Sequence, residues 1–470
     1  MKKYLVSFVV ALFALPLLFA LSVDVSAFFH EPIAPSSKKY VMNMDIYDWG
    51  AAVDALVINL GRYVSSTAIH KEDFEVGVFG AAAGSGIDIV TGYREVTDAY
   101  LCDEMGNKVD EKKGFYIALR LSVHPDDSIS NPFVSFPASI LKKGIKTFRV
   151  RNNALSIDYT QTDGINCDKL SKFRTGYSVT DDILLHYAEW FPEIKDEGEK
   201  VPLIVWLHGI AEGGSDALAP LVACRVAEMT GEEIQDEFGV NGAALLVPQS
   251  RTSWLESTSK DVFGNNIWVP ADIDGTVSSV KNKIINKITG RLSIKSKGDD
   301  EKKAPTATVS YYTVALKNLI AEYLEKHSEI DEKRIYLMGV SAGGYMSINM
   351  LLQYPDCFAA AVVASEVYPD SKLTEADIEE LSKNSIWFVH SADDEVAKID
   401  KYDASTVRRL ENAGAEDVHY TLYNCIIDSD GKYFDEDENV WQFSGHDSYI
   451  PIFRNQVDGL FAWLASHSLK

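Results

Sequence analysis

Cysteine is scarce in this 470-residue chain. There are five, Cys102, Cys167, Cys224, Cys357 and Cys425, and no two stand in a Cys-x-x-Cys pair. That excludes a zinc site built on such pairs. An odd count leaves at least one thiol unpaired, and Cys224 and Cys357 lie in apolar helical patterns that suit buried thiols. At most one disulfide is expected. Basic residues are also few, 45 Lys and Arg against 69 Asp and Glu, for a net charge of −24. Nucleic acid, which needs basic patches, is therefore not an expected partner. After the first 27 residues no apolar run is long enough to cross a bilayer. The histidines show no metal-ligand spacing, and the acidic stretch 428–438 misses the EF-hand pattern, so no metal site is expected.

What is present has an ordinary globular balance, 46% hydrophobic and 24% charged, in a length that suits two to three domains. Lys2 and Lys3 precede an apolar run over 4–21, and Val25-Ser26-Ala27 offers small residues for cleavage. This pattern predicts a signal peptide over 1–27 cut before Phe28, hence a secreted or extracytoplasmic protein without stable membrane association after cleavage. An uncleaved N-terminal anchor is the alternative. No Cys follows the apolar run, so a lipoprotein anchor is unsupported. Residues 28–39 read as a flexible leader.

From residue 40 to about 160 the chain alternates short runs rich in β-branched and aromatic residues with Gly, Asp and Pro. Examples are Ala55-Leu56-Val57-Ile58, Phe115-Tyr116-Ile117 and Thr147-Phe148-Arg149-Val150. This predicts a small antiparallel β-sandwich. It has no Cys…Trp…Cys spacing and so is not of the antibody type. His70 and His124 read as surface residues and Trp49 as core.

Residues 161–470 read differently. Residues 183–191 suit an antiparallel edge strand. The continuous apolar run 201–207 suits a strand inside a parallel sheet, as do 243–249, 335–338 and 358–364. An amphipathic helix is expected over 309–327 and another over 342–353, stopped before Tyr354-Pro355. Strands alternating with helices predict an α/β domain with a doubly wound, mostly parallel sheet. Residues 263–306, rich in Asn, Lys, Asp and Gly, break the alternation. They read as an insertion, either a lid or a surface excursion, with one helix over 277–289.

The chemistry centres on Gly339-Val340-Ser341-Ala342-Gly343, between a strand and a helix. Gly-x-Ser-x-Gly in that context is a nucleophile elbow, a strained turn that presents the serine hydroxyl above the sheet. A serine nucleophile needs a base and an orienting carboxylate, which follow it in the order acid, then histidine. His446, in Gly445-His446-Asp447 after the last strand, is the candidate base, with Asp447 bonding its own loop. The acid lies in Ser391-Ala392-Asp393-Asp394-Glu395. Asp394 is the first choice, Asp393 the rival and Glu395 the third. The His208-Gly209 that ends strand 201–207 places the Ile210 N–H beside the serine. Ile210 and Ala342 are thus the candidate oxyanion donors, and His208 a structural residue under the loop. His186, His327, His390, His419 and His467 fall within or near regular elements.

These motifs, together with Pro248-Gln249, Arg334-Ile335-Tyr336, Tyr354-Pro355-Asp356 and His390-Ser391-Ala392-Asp393-Asp394, resemble the esterase branch of the α/β-hydrolases. That branch includes feruloyl-esterase-like and polyhydroxybutyrate-depolymerase-like enzymes and chains labelled predicted peptidases. The family's His-Gly-x-x-Asp matches His390 and Asp394, which favours Asp394 over Asp393; Ser391 replaces the usual Gly, and Ala342 a frequent Met. Residues around Tyr47-Asp48-Trp49-Gly50 are similar to the immunoglobulin-like domain that precedes some bacterial esterases. The resemblance implies an α/β-hydrolase fold behind an immunoglobulin-like sandwich, and a secreted serine carboxylesterase. It implies a small-molecule or polymer-borne ester substrate and no cofactor. Two alternatives stand beside it: a serine peptidase of the prolyl-oligopeptidase type, and a non-catalytic binding protein on the same scaffold.

Overall fold

A computed structural model describes residues 32–81, 88–133, 146–180, 183–255, 310 and 312–470. The expected signal peptide and the insertion at 263–306 lie outside the described residues. The chain divides into two compact units, Met1–Ser171 and Lys172–Lys470. All five cysteines are free thiols. Among the described residues, no helix is long and apolar enough to cross a membrane.

The first unit contains β1 (Tyr40–Tyr47), β2 (Gly50–Ser65), β3 (Glu75–Ala81), β4 (Asp88–Arg94), β5 (Val96–Cys102), β6 (Lys113–Leu121), β7 (Thr147–Asn152), β8 (Ile157–Tyr159) and β9 (Thr162–Asn166). They form two sheets, ordered β5-β6-β2-β1-β9 and β4-β3-β7-β8. The expected all-antiparallel arrangement holds except at one edge, where β9 pairs parallel to β1. That pairing carries the unit past the expected boundary at 160/161. Residues from Ile33 onward, expected as a flexible leader, are tied to this edge. The Asn166 side chain bonds both the N–H and the C=O of Ile33 at 2.8 and 3.0 Å, and Lys39 pairs with Asp163 at 2.7 Å. The two sheets are linked through the buried Tyr40, whose hydroxyl donates to the Phe148 carbonyl at 2.9 Å and accepts from the Phe148 N–H at 2.7 Å.

The second unit holds β10 (Arg174–Thr180), β11 (Ile183–Trp190), β12 (Val201–Leu207), β13 (Ala244–Gln249), α1 (Thr313–Lys326), β14 (Ile330–Val340) and α2 (Ala342–Gln353). Then come β15 (Ala360–Ala364), α3 (Glu375–Leu381), β16 (Ile386–Ser391), α4 (Asp403–Asn412), β17 (Val418–Tyr423) and α5 (Leu460–Ala465). Among the described residues the sheet runs β10-β11-β13-β12-β14-β15-β16-β17. β10, β11 and β13 pair antiparallel; from β13 to β17 every pairing is parallel.

The central strands β12, β13 and β15 are buried along their whole length, which is why they read as unbroken apolar runs rather than alternations. Leu203, Val205, Leu207 and Leu337 face the core shared with α1 and α2. Between them Trp206 and Tyr336 turn to the other face, against Phe453 and Phe238. Helix α1 buries Ala315, Leu316, Leu319, Ile320 and Tyr323, one stripe at helical spacing. The strand order reverses at β12, with β13 on one side and β14 on the other. The C-terminal ends of β12 and β14 therefore lie at the topological switch point of the sheet, the position where α/β sheets hold ligands.

The Tyr40 bridge is open to test. Tyr40→Phe keeps the ring but leaves the Phe148 N–H and C=O without that partner. It should lower unfolding free energy by about 1–2 kcal/mol, read by urea denaturation. An unchanged midpoint would mean that the bridge contributes nothing.

Candidate active site

The nucleophile turn is built by close approach. β14 ends at Val340 and α2 begins at Ala342, with Ser341 between them at φ 54°, ψ −115°. A positive φ is strained for any residue but glycine. The turn is held by the Ser341 N–H donating to the Ala364 carbonyl at 2.9 Å and by Tyr345 N–H donating to the Ser341 carbonyl at 3.0 Å. A Cβ on Gly343 would lie 1.9 Å from the Leu207 carbonyl oxygen, and one on Gly339 would lie 2.6 Å from the Gly343 backbone. Glycine is thus the residue that lets the helix start cross the end of β12. As the first helical residue, Ala342 has an N–H without an intrahelical partner, at the positive end of the α2 dipole.

The second donor loop lies alongside. A Cβ on Gly209 would sit 3.9 Å from the Ser341 Cβ, so the chain leading to Ile210 passes the nucleophile at van der Waals distance. Ile210 opens a short 3-10 turn with its side chain exposed. His208 has the structural role expected of it. It is fully buried, accepts from the Ser250 N–H at 3.1 Å and donates from Nδ1 to the Gly209 carbonyl at 2.6 Å. Burial pushes its pKa down to about 4, so it stays neutral. Glu212 closes the turn by accepting the Gly209 N–H at 3.2 Å.

On the acid loop the three neighbouring carboxylates separate. Asp394 Oδ2 accepts from His446 Nδ1 at 2.8 Å, and its Oδ1 accepts the N–H groups of Val396 and Ala397 at 2.7 and 2.8 Å. Asp393 turns to Gln442 at 2.8 Å, and Glu395 is exposed beside Lys398 at 3.2 Å. The structure therefore joins Asp394 to His446 and leaves Asp393 and Glu395 elsewhere. It places no hydrogen bond between His446 and Ser341, a contact that often tightens only when substrate binds. The two are linked through neighbours. Ser365, one residue past the Ala364 that holds Ser341, bonds Ser448 Oγ at 2.7 Å, and Ser448 also donates to the Val389 carbonyl at 2.9 Å. Asp447 bonds back to the Ser444 carbonyl through its N–H at 2.9 Å, as expected of a loop residue.

Sequence reasoning missed several parts. Ser365 takes a positive φ of 42° with no glycine or motif to announce it. His390 was visible only as a spacing four residues before Asp394. Asp403 had no signal, because it joins the site from the start of α4. In the acidic stretch 428–438, Asp428 is satisfied by Arg454 at 2.8 Å and by the N–H groups of Lys432 and Tyr433 at 2.6 and 2.8 Å. Among the described residues no group of three or more His, Cys, Asp or Glu side chains is arranged so that it could hold a metal ion.

Comparison with known proteins bears on the fold and the domain order. Residues 39–173 match the esterase Ig-like N-terminal domain, and residues 318–425 match the prolyl oligopeptidase family. No curated protein matches the chain. Among solved structures, a thermostable esterase is similar at 21% identity over 92% of this chain and 100% of its own, with a TM-score of 0.62. An acylaminoacyl peptidase from Pyrococcus horikoshii is 16% identical over 60% of this chain and 41% of its own, at a TM-score of 0.35. A ferulic acid esterase is 11% identical over 63% of this chain and 98% of its own, at 0.36. The first likeness establishes the α/β-hydrolase fold; the other two are too distant to argue from. The second unit has the α/β-hydrolase fold, and the residues that precede it in sequence match an esterase-type immunoglobulin-like domain.

Behind the acid lies a buried charge cluster. His390 Nε2 meets Asp394 Oδ2 at 2.9 Å, and its Nδ1 bonds Asp403. Burial opposes charge on His390, but the bonds to Asp394 and Asp403 outweigh it and raise its pKa to about 9. Burial opposes charge on Asp394 too, yet the bonds from His390 and His446 hold it well below the usual carboxylate range. A histidine whose pKa is raised by folding stabilises the fold fully below its ordinary value of 6.5, and that stabilisation is lost as pH rises through about 9. The unfolding free energy of the wild type should therefore fall between those pH values relative to His390→Gln, measured by urea denaturation. Parallel curves for the two proteins would show that His390 carries no such charge.

Proposed function

We propose that the chain is a secreted carboxylesterase acting through an acyl-enzyme on Ser341. The observation that carries this reading is the Asp394–His446 pair, 2.8 Å between Oδ2 and Nδ1, in a chain whose Ser341 is held at positive φ where a strand turns into a helix. In this mechanism His446 Nε2 takes the Ser341 proton as Oγ bonds to the ester carbonyl carbon. The carbonyl oxygen becomes an oxyanion held by the N–H groups of Ile210 and Ala342. Asp394 fixes the tautomer of His446 and stabilises the imidazolium. The oxyanion collapses, the bond to the alcohol oxygen breaks, and His446 protonates the departing alcohol. Water, deprotonated by the same histidine, then attacks the acyl-enzyme, and Ser341 leaves with its proton restored. The chemistry uses side chains and backbone alone, and calls on no cofactor or metal.

The match of residues 39–173 to an esterase-type domain supports an ester as substrate. Its chemistry is that of a small-molecule or polymer-borne ester, in keeping with an acidic surface that offers nothing to nucleic acid. Export rests on the pattern of Lys2, Lys3, the apolar run and Val25-Ser26-Ala27. A second reading, a serine peptidase, is favoured by the match of residues 318–425 to the prolyl oligopeptidase family. It needs the same residues but a harder leaving-group protonation.

The test uses the chain from Phe28, with wild type and Ser341→Ala assayed on short and medium p-nitrophenyl esters and on a proline arylamide. Ester cleavage that falls by roughly 10³-fold or more in the variant, without amide cleavage, is the expected outcome. Amide cleavage lost in the variant would transfer the reading to a peptidase. Activity equal in both proteins would remove Ser341 as nucleophile.

A further inference from the structure

The carboxylate of Asp394 is engaged from two sides. His446 reaches Oδ2 at 2.8 Å, and His390 reaches the same oxygen at 2.9 Å. The other nitrogen of His390 bonds the carboxylate of Asp403, the first residue of α4. The side chains of His390, Asp394 and Asp403 are all completely buried. With the N–H groups of Val396 and Ala397 on Oδ1, Asp394 has four donors, which fills its acceptor capacity. Desolvating three ionisable groups in a packed interior is unfavourable, and an apolar filling of the same volume would serve stability as well or better. The groups converge instead on the one oxygen that orients the base.

We propose that His390, locked in place by Asp403, is a positioning residue that fixes Asp394 Oδ2 against His446. This rests on the reading of Asp394 and His446 as acid and base. His390 touches neither Ser341 nor the oxyanion donors in this structure, so it acts through Asp394. The charged and titratable groups around it are Asp394 on the acid loop, Asp403 on α4 and Glu366 after β15. Tyr402 and Tyr420 lie close to those carboxylates. Burial pushes the Glu366 carboxyl well above the usual carboxylate range, and it accepts the Tyr368 N–H. A proton shared between His390 and Asp394 draws negative charge away from Oδ2. Its removal leaves Asp394 more negative toward His446.

The experiment compares His390→Gln, Asp403→Asn, Asp394→Asn and the His390→Gln/Asp394→Asn double variant in the chain from Phe28. The readouts are the rate of Ser341 labelling by a fluorophosphonate, kcat and KM on a p-nitrophenyl ester, and the pH profile of kcat/KM. His390→Gln should slow labelling and kcat by about 10- to 100-fold with KM little changed. It should also move the acid limb of the profile to higher pH by about half a unit or more. Asp403→Asn should act in the same direction, and the double variant should be no slower than Asp394→Asn alone. Losses that multiply in the double variant, or an acid limb that stays in place while activity merely follows the folded fraction, would overturn the proposal. If His390→Gln does not fold, Asp403→Asn carries the same test; failure of both to fold assigns the pair to stability and also overturns it. A wild type that is not labelled at Ser341 would instead sink the triad reading, a result distinct from labelling that is insensitive to His390.

Discussion

Everything at the site depends on how closely two backbones pass. Gly343 lies so near the Leu207 and His208 carbonyls that no side chain fits between them. That approach sets the start of α2 beside the loop after β12. The parallel pairing of Leu207 with Gly339 brings the two strand ends level. The strain at Ser341 is affordable because the neighbouring strands β12 and β15, buried along their whole length, give the turn nowhere to relax. Rigidity here comes from apolar packing, and the polar groups are hung on it.

The candidate acid and base follow a different logic. His446 sits on a short turn, not on a strand or long helix, and turns are mobile unless tied. This one is tied by hydrogen bonds. Ser448 reaches Val389 and Ser365, and a Cβ on Gly445 would collide with Asp393 and the Asp394 N–H. The acid loop is fixed in turn by its own backbone and by the buried histidine beneath it. Two supports of unlike kind, one apolar and one polar, thus meet at Ser341 and His446.

What could be read beforehand tracks how local the signal is. The elbow was legible because a buried strand, a Gly-x-Ser-x-Gly turn and a helix stop at Pro355 fall within a short stretch. His446 followed from its place after the last strand. Asp394 and Asp393 could not be separated by spacing, since neighbours on a loop share it; they differ in that Asp394 has the Val396 and Ala397 N–H groups to hold it toward His446. Asp403 was illegible because helix packing, not sequence distance, brings it to His390. The same holds for the tethering of Ile33 by Asn166, a contact across 133 positions. Helix α1, Thr313–Lys326, falls within the expected 309–327 because its apolar stripe is continuous.

The parallel pairing of β9 with β1 has a consequence for synthesis. β1 is made early and its edge partner late, with the whole of the first unit between them. While the chain grows from the N-terminus, β1 has β2 on one side and an unpaired edge on the other. The first unit cannot seal that edge until Asn166 has emerged, and by then β10 of the next unit is about to follow. Completion of the first unit therefore waits on the last of its strands, and until then the edge of β1 is open to pairing.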